Sequence, residues 1–98
     1  MTLQEITAKM KEGASSKSAF GNTVKFATEQ GVVYLDGNQT PPAVTNDDKD
    51  ADCTLRMDFS DFSDLIERKT DGMSLFMTGK LKIEGDMGVA MKLQSILR

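Results

Sequence analysis

The sequence of 98 residues has a formal net charge of -3, and 39% of its residues are hydrophobic. This length suffices for one domain with a single core, so we expect residues 1–98 to form one unit. Asp and Glu outnumber Lys and Arg, which argues against nucleic acid as a partner, because nucleic-acid-binding proteins present basic surfaces. No stretch approaches the roughly 20 apolar residues that a membrane-spanning helix needs.

Enzymatic chemistry has little support in the residue types present. There is no histidine, which removes the usual general base and the commonest metal ligand. The one cysteine, Cys53, lies on the apolar face of a predicted strand, where cysteine usually behaves as a small buried hydrophobe. Asp48, Asp50 and Asp52 have the spacing of a calcium-binding loop. However, the sixth position of such a loop requires glycine and here is Cys53, and the twelfth requires a bidentate glutamate and here is Phe59. A calcium ion therefore could not be coordinated in this pattern. We expect no enzyme, no catalytic residue, no cofactor and no metal site.

The sequence carries no recognisable targeting signal. Residues 1–5 contain neither a basic start nor an apolar run, which predicts no secretory signal. Residues 96–98 do not form a peroxisomal address of the Ser-Lys-Leu type. A single cysteine cannot form an internal disulfide and fits a reducing compartment. We therefore expect a cytoplasmic protein.

The first half of the sequence predicts one helix and three strands. Thr2 and Glu5 form a capping box, and apolar residues follow at helical spacing until Gly13, which we expect to end the helix in a left-handed conformation. Segments with strand patterns, separated by turns, follow at residues 23–27, 32–35 and 43–45. They predict an antiparallel meander, and two consecutive prolines place its third strand at or near an edge. The acidic residues 46–52 predict a solvated loop that discourages pairing at a sheet edge.

The second half predicts alternating strands and helices. A fourth strand spans residues 53–57, and Asp58 or Ser60 is expected to cap the next helix. The apolar stripe of that helix consists of Phe62, Leu65 and Ile66. The remaining predicted elements are a short helix at residues 73–77 that ends at Gly79, a fifth strand at residues 80–84 and a final helix from Met87. This order predicts an α+β fold in which helices cover one face of a five-stranded, mostly antiparallel sheet.

The final helix is apolar over more of its circumference than one packing partner can cover. Its apolar residues are Met87, Val89, Ala90, Met91, Leu93, Ile96 and Leu97. Its narrow polar strip consists of Gly88, Lys92 and Ser95. Methionines are concentrated nearby, and their unbranched side chains fill irregular volumes. Three explanations stay open on these grounds: simple core packing, an adaptable lipid cavity, and an exposed groove for a partner helix.

Two segments resemble the sterol carrier protein 2 family. Residues 79–93, GKLKIEGDMGVAMKL, are very similar to the carboxy-terminal signature of that family, and residues 51–57, ADCTLRM, are similar to its strand-to-helix passage. The predicted hairpin of residues 24–37 fits the first two strands of the family. The segment between the first helix and the first strand is shorter than in many members. The absence of the enzyme domains that often accompany the family implies a freestanding carrier.

The resemblance implies a sheet covered by helices that enclose an apolar tunnel, in a non-enzymatic carrier of fatty acids, fatty acyl-CoA or sterols. For such a carrier, transient membrane contact during lipid exchange and a ligand-dependent dimer are interactions to test. The alternative function is an interaction or dimerisation module that uses the apolar C-terminal helix. The residues that we predict to bind the lipid are Phe26, Val33, Leu35, Phe62, Ile66, Leu75, Phe76, Met77, Ile83, Met87, Met91 and Leu93.

Overall fold

The computed structural model describes the backbone of residues 1–96 and the side chains of residues 1–93. The elements in this range are α1 (Leu3–Ala14), β1 (Thr23–Thr28), β2 (Gly31–Asp36), β3 (Ala43–Thr45), β4 (Cys53–Arg56), α2 (Phe59–Ile66), α3 (Gly72–Met77), β5 (Lys82–Gly85) and α4 (Met87–Ile96). The α+β fold predicted from the sequence is therefore confirmed. Within the described range, no helix combines the length and apolar character needed to cross a bilayer.

The five strands form one mixed sheet in the order β3-β2-β1-β4-β5. β1, β2 and β3 pair antiparallel, which confirms the predicted meander, and β3 lies at an edge as expected. β4 pairs parallel with β1, and β5 pairs antiparallel with β4. The sheet is therefore mostly antiparallel, with its one described parallel pairing at the centre.

One face of the sheet carries apolar residues from neighbouring strands. Because paired residues project to the same face, the register places their side chains side by side. Phe26 of β1 pairs with Val33 of β2 on one side and with Leu55 of β4 on the other. Leu55 in turn pairs with Ile83 of β5. Helix α1 contacts β3 and helix α4 contacts β4 and β5, and apolar side chains from all four helices complete the core with this face.

The acidic loop of residues 46–52 crosses the opposite face of the sheet. Lys25 Nζ lies 3.0 Å from Asp48 Oδ1, and the Tyr34 hydroxyl donates to the Asp50 carbonyl oxygen at 3.2 Å. The loop is solvated as predicted, since residues 46–50 are exposed, but it lies over a face of the sheet and not along an edge. The reason is topological: the chain must pass from β3, at one edge, across the sheet to β4, on the far side of β1.

Asp52 and Thr23 form two mutual hydrogen bonds at the beginning of the parallel pair of β1 and β4, and we call these two bonds the clamp. The Asp52 backbone N–H donates to Thr23 Oγ1 at 2.9 Å, and the Asp52 carboxylate accepts the Thr23 N–H at 3.0 Å. The hydrogen bond from the Thr23 N–H lowers the pKa of the Asp52 carboxyl most, and the hydrogen bond from the Asn22 side-chain amide lowers it further. Gly85 lies directly beside this clamp with a φ of 92°, and a Cβ atom there would overlap the Asp52 carbonyl oxygen. A glycine is therefore required at this end of β5.

Helix α1 begins as predicted but ends later. Glu5 N–H donates to Thr2 Oγ1 at 3.1 Å, and Thr2 N–H donates to Glu5 Oε1 at 2.8 Å, which confirms the capping box. The helix passes through Gly13, which is not left-handed, to Ala14. The predicted stop at Gly13 is wrong because Ala14 is buried in the core and its packing favours one further helical residue.

Helix α2 begins without the side-chain cap expected from Asp58 or Ser60. Asp58 occupies the capping position, but its side chain accepts no capping hydrogen bond. Glu29, from the turn between β1 and β2, accepts the Phe59 N–H through Oε1 at 2.7 Å instead. This helix terminus is therefore satisfied by a residue that is distant in the sequence, which a local pattern cannot indicate.

Candidate ligand-binding cavity

Helix α4 has two apolar faces in different surroundings. Val89 and Leu93 are 3% and 2% exposed and belong to the core, whereas Met87 and Met91 are 49% and 72% exposed. The apolar surface predicted to exceed one packing partner is thus present as far as Leu93. Two further predicted members, the Ile96 side chain and Leu97, lie outside the described residues.

The exposed face of α4 lines a cavity of about 1210 Å³. Apolar wall residues come from the sheet and from all four helices: Met10, Ala14, Phe26, Leu35, Leu55, Leu65, Ile66, Met73, Phe76, Ile83, Met87, Ala90, Met91 and Leu93. The connecting segments add Phe20, Pro42 and Leu81. The volume exceeds the roughly 300–1,000 Å³ of a typical small-molecule site. A long alkyl chain or a fused-ring molecule can therefore be accommodated by size.

Eight of the twelve residues predicted to bind ligand lie in the wall of this cavity. They are Phe26, Leu35, Ile66, Phe76, Ile83, Met87, Met91 and Leu93. Residues from six separate elements are brought together here, from β1 through to α4. Their contact with a ligand stays a prediction.

The other four predicted residues lie outside the wall. Val33 and Leu75 are buried within the core, and so is Phe62, which stacks on Phe26 with ring centroids 5.1 Å apart. Phe62 therefore supports a wall residue from behind. Met77, the last residue of α3, is 78% exposed and lies away from the cavity.

The sequence prediction missed the contribution of α1 and of the segment that follows it. Met10 and Ala14 lie in the wall, and so does Phe20 in the connection to β1. The spacing of Met10 and Ala14 by one helical turn is the signal that places them on one face of α1. Phe20 lies between Ala19 and Gly21 in a loop, and no periodic pattern indicates its position.

Phe20 packs against the bare backbone of Gly37. A Cβ atom added at Gly37 would overlap the Phe20 ring. The two segments are also joined by hydrogen bonds, since the N–H groups of Phe20 and Gly21 both donate to the Gly37 carbonyl oxygen at 2.8 Å. The absence of a side chain at Gly37 thus allows an aromatic ring to close one part of the cavity wall.

Other features of the described residues offer little for chemistry. Cys53 is buried, and burial, with a smaller contribution from the Asp86 charge, raises the pKa of its thiol. This environment fits the structural role predicted for Cys53, because the thiolate is the reactive form. No group of three or more metal-binding side chains occurs in the described part of the chain. A second hollow, of about 600 Å³, has charged wall residues that include Arg56 and Lys82.

Comparison with known proteins identifies the family. The model of the SCP-2 sterol transfer family matches residues 3–98. The chain belongs to this family. Sterol carrier protein 2 of Homo sapiens is 55% identical to this SCP-2 chain over 51 residues, which are 52% of the chain and 9% of the relative. Sterol carrier protein 2 of Gallus gallus is 35% identical over 105 residues, which cover 98% of the chain and 19% of the relative. The SCP-2 chain thus spans less than a fifth of these relatives.

A solved structure confirms the fold of the SCP-2 chain. The structure of sterol carrier protein-2 from Aedes aegypti, in complex with the C16 fatty acid palmitate, has a TM-score of 0.78 and 18% sequence identity to this chain. The match covers 99% of this chain and 96% of that protein. At this identity the likeness shows the fold alone.

Proposed function

We propose that this chain is a lipid carrier that holds the apolar part of a fatty acid, a fatty acyl-CoA or a sterol in the cavity and performs no chemistry on it. The observation that carries the proposal is a cavity of about 1210 Å³ with an apolar wall built from the sheet and all four helices. Two findings support it: the chain belongs to the SCP-2 sterol transfer family, and a protein of the same fold has been solved with palmitate.

The energetics of apolar burial favour such a ligand. Each methylene removed from water contributes about 0.8 kcal/mol, so a chain of roughly sixteen carbons gains on the order of 10 kcal/mol. Association opposes this gain by about 4–15 kcal/mol in lost freedom of motion. At the low end of this cost, a net gain of about 6–9 kcal/mol remains, which corresponds to a Kd from tens of micromolar to below one micromolar with few polar contacts. Methionines in the wall, among them Met73 and Met91, can adapt to ligands of different shape.

The ligand contacts that we propose are the predicted residues that lie in the wall. The sheet contributes Phe26, Leu35 and Ile83 beneath the ligand. The helices contribute the remaining side chains, which are Ile66, Phe76, Met87, Met91 and Leu93. The polar end of the ligand then lies at the opening, where exposed residues meet solvent.

A direct experiment is to identify what the protein carries and what it takes up. Protein purified from cells is analysed by native mass spectrometry and by organic extraction, and is then titrated with a fluorescent fatty acid. We expect co-purified lipid and displaceable binding. Ala90→Leu, which adds volume to the wall, should weaken uptake, whereas Ala8→Leu on the exposed side of α1 should not. No uptake by the unmodified protein would contradict the carrier proposal.

The exposed residues around α3 and α4 also favour contact with a membrane during lipid exchange. Met73, Phe76, Met87 and Met91 are each about half exposed or more, and all four line the cavity. Large exposed apolar patches of this kind mark interaction sites. Transfer of lipid between vesicles should therefore depend on protein–vesicle collision, with a rate that rises with vesicle concentration. The cytoplasmic location stays a prediction, which cell fractionation can check.

The same exposed face of α4 favours the alternative function, a dimerisation or interaction module. Two copies that packed Met87 and Met91 together would cover these side chains. Sedimentation measured with and without fatty acid distinguishes the cases. A ligand-dependent dimer is compatible with a carrier, whereas dimerisation that depends on concentration, together with no lipid uptake, supports the alternative.

A further inference from the structure

The described part of the cavity wall carries a net charge opposite to that of the whole chain. Among the residues whose side chains the structure describes, the charged members of the wall are Lys9, Lys17, Arg68, Lys69 and Asp71. Four cations and one carboxylate give a local charge of +3, while the whole chain carries -3. Basic side chains are therefore concentrated around one apolar cavity in an acidic protein.

These cations are largely uncompensated. Among the residues that the structure describes, Lys9, Lys17 and Arg68 make no ion pair. Lys69 does make one, with its Nζ atom 3.6 Å from Glu67 Oε2. The Asp71 carboxylate is engaged as the cap of α3, where it accepts the Ser74 N–H at 2.7 Å. Lys17 is half-buried, which reduces the screening of its charge by water.

Arg68 occupies a backbone position that a glycine would fill with less strain. The Lys69 N–H donates to the Asp64 carbonyl oxygen at 2.8 Å, and the Arg68 N–H donates to the Leu65 carbonyl oxygen at 3.2 Å. This pair of bonds is the Schellman motif that ends a helix, and its left-handed residue is usually glycine. Arg68 has a φ of 62°, and no other non-glycine residue in the described range has a positive φ. A strained side-chain-bearing residue at such a position indicates a function for the side chain.

We propose that Arg68, assisted by Lys9, Lys17 and Lys69, binds the anionic oxygen group of the lipid at the opening of the cavity. Arg68 thus makes the protein selective for lipids that end in a carboxylate or a phosphate over neutral sterols and alcohols. This inference rests on the proposed carrier function. The guanidinium group presents paired N–H donors that match carboxylate and phosphate oxygens, while the methylenes of the same ligand remain in the apolar cavity.

The test compares ligands that share a tail and differ in the head group. Displacement of the neutral fluorophore N-phenylnaphthylamine is measured with myristate, myristyl alcohol, methyl myristate and myristoyl-CoA, at mildly alkaline pH without vesicles or phosphate buffer. Myristate should bind about tenfold more tightly than the alcohol and the ester, because a hydrogen bond to a charged group is worth roughly that factor. The myristoyl-CoA arm shows whether phosphate oxygens are accepted as well.

Substitutions distinguish the contribution of the whole Arg68 side chain from the contribution of its positive charge and from effects on folding. Arg68→Gly should remove most of the preference for myristate, leave alcohol binding within about twofold, and leave the Tm equal or higher because the backbone strain is relieved. Arg68→Lys should retain part of the preference. Lys9→Gln should reduce it, whereas Lys11→Gln, on the same helix but outside the wall, should not.

The outcomes are distinguishable. Equal binding of myristate and the alcohol by the unmodified protein, or an unchanged preference in Arg68→Gly, would overturn the inference and leave the carrier function intact. If no ligand displaces the fluorophore, the carrier function fails together with the inference.

Discussion

Met91 and Met77 provide a matched pair for testing whether the exposed face of α4 binds lipid. Both side chains are largely exposed, at 72% and 78%, but only Met91 belongs to the cavity wall. Met91→Asp and Met77→Asp should therefore have similarly small effects on stability. Only Met91→Asp should impair lipid uptake.

The expected size of the effect follows from the exposure of Met91. Full burial of a methionine side chain is worth about 1.5–3 kcal/mol, so covering the exposed 72% of Met91 with ligand contributes roughly 1–2 kcal/mol. Desolvating a carboxylate against an alkyl chain adds at least the penalty of about 1–3 kcal/mol that applies to an unpaired neutral polar group. The sum, about 2–5 kcal/mol, corresponds to a loss of affinity of roughly thirtyfold or more.

The assay is a titration of each variant with a fluorescent fatty acid, accompanied by thermal unfolding followed by circular dichroism. Both variants should unfold within a few degrees of the unmodified protein. Met77→Asp should keep its affinity within about twofold, whereas Met91→Asp should not. Unchanged affinity in Met91→Asp would remove this residue from the binding wall, and equal losses in both variants would show that the effect is not specific to the cavity.

Three further predictions concern the packing and the clamp. Phe62→Ala should reduce the free energy of unfolding in urea by about 3–5 kcal/mol, and a loss below 1 kcal/mol would contradict the role of Phe62 in the core. Gly37→Ala should lower the free energy of unfolding by about 1–3 kcal/mol, because the added Cβ overlaps Phe20. Gly13→Ala, where α1 has open space, should raise it by about 0.5–1 kcal/mol. Equal effects of the two substitutions would refute the steric argument. The lowered pKa of Asp52 contributes stability that is present above its usual pKa of 3.8 and is lost as the pH falls through the lowered value. The Tm difference between Asp52→Asn and the unmodified protein should therefore close in acid, and a constant difference would count against the clamp.

The sequence predicted the elements of the fold better than their arrangement. The alternation in residues 23–27 and the capping box at Thr2 report local geometry, and local geometry decides where strands and helices begin. The parallel pairing of β4 with β1 depends instead on which distant strand offers a complementary apolar edge. A period of two residues indicates the face of a strand but not its partner.

The cavity wall was predicted where apolar periodicity extends over several turns or strand residues. Helix α4 is long enough to separate its buried face from the face that carries Met87 and Met91. Helix α3 has only six residues, too few for a pattern to distinguish buried Leu75, wall residue Phe76 and exposed Met77. The role that we propose for Arg68 could not be predicted for a different reason, since it rests on a backbone conformation that the sequence does not display.

The parallel pairing of β1 with β4 also governs how an occupied protein would come apart. The segment through β2 contributes one side of the cavity, with Met10 and Leu35, while the segment from β4 onward contributes the other, with Leu55 and Met91. If the proposed carrier function holds, a lipid in the cavity would contact both segments and link the two sides of the central strand pair. Loading would then oppose separation of these strands by RT ln(1 + [L]/Kd), and hydrogen exchange at the β1 and β4 amides would become a measure of cargo occupancy.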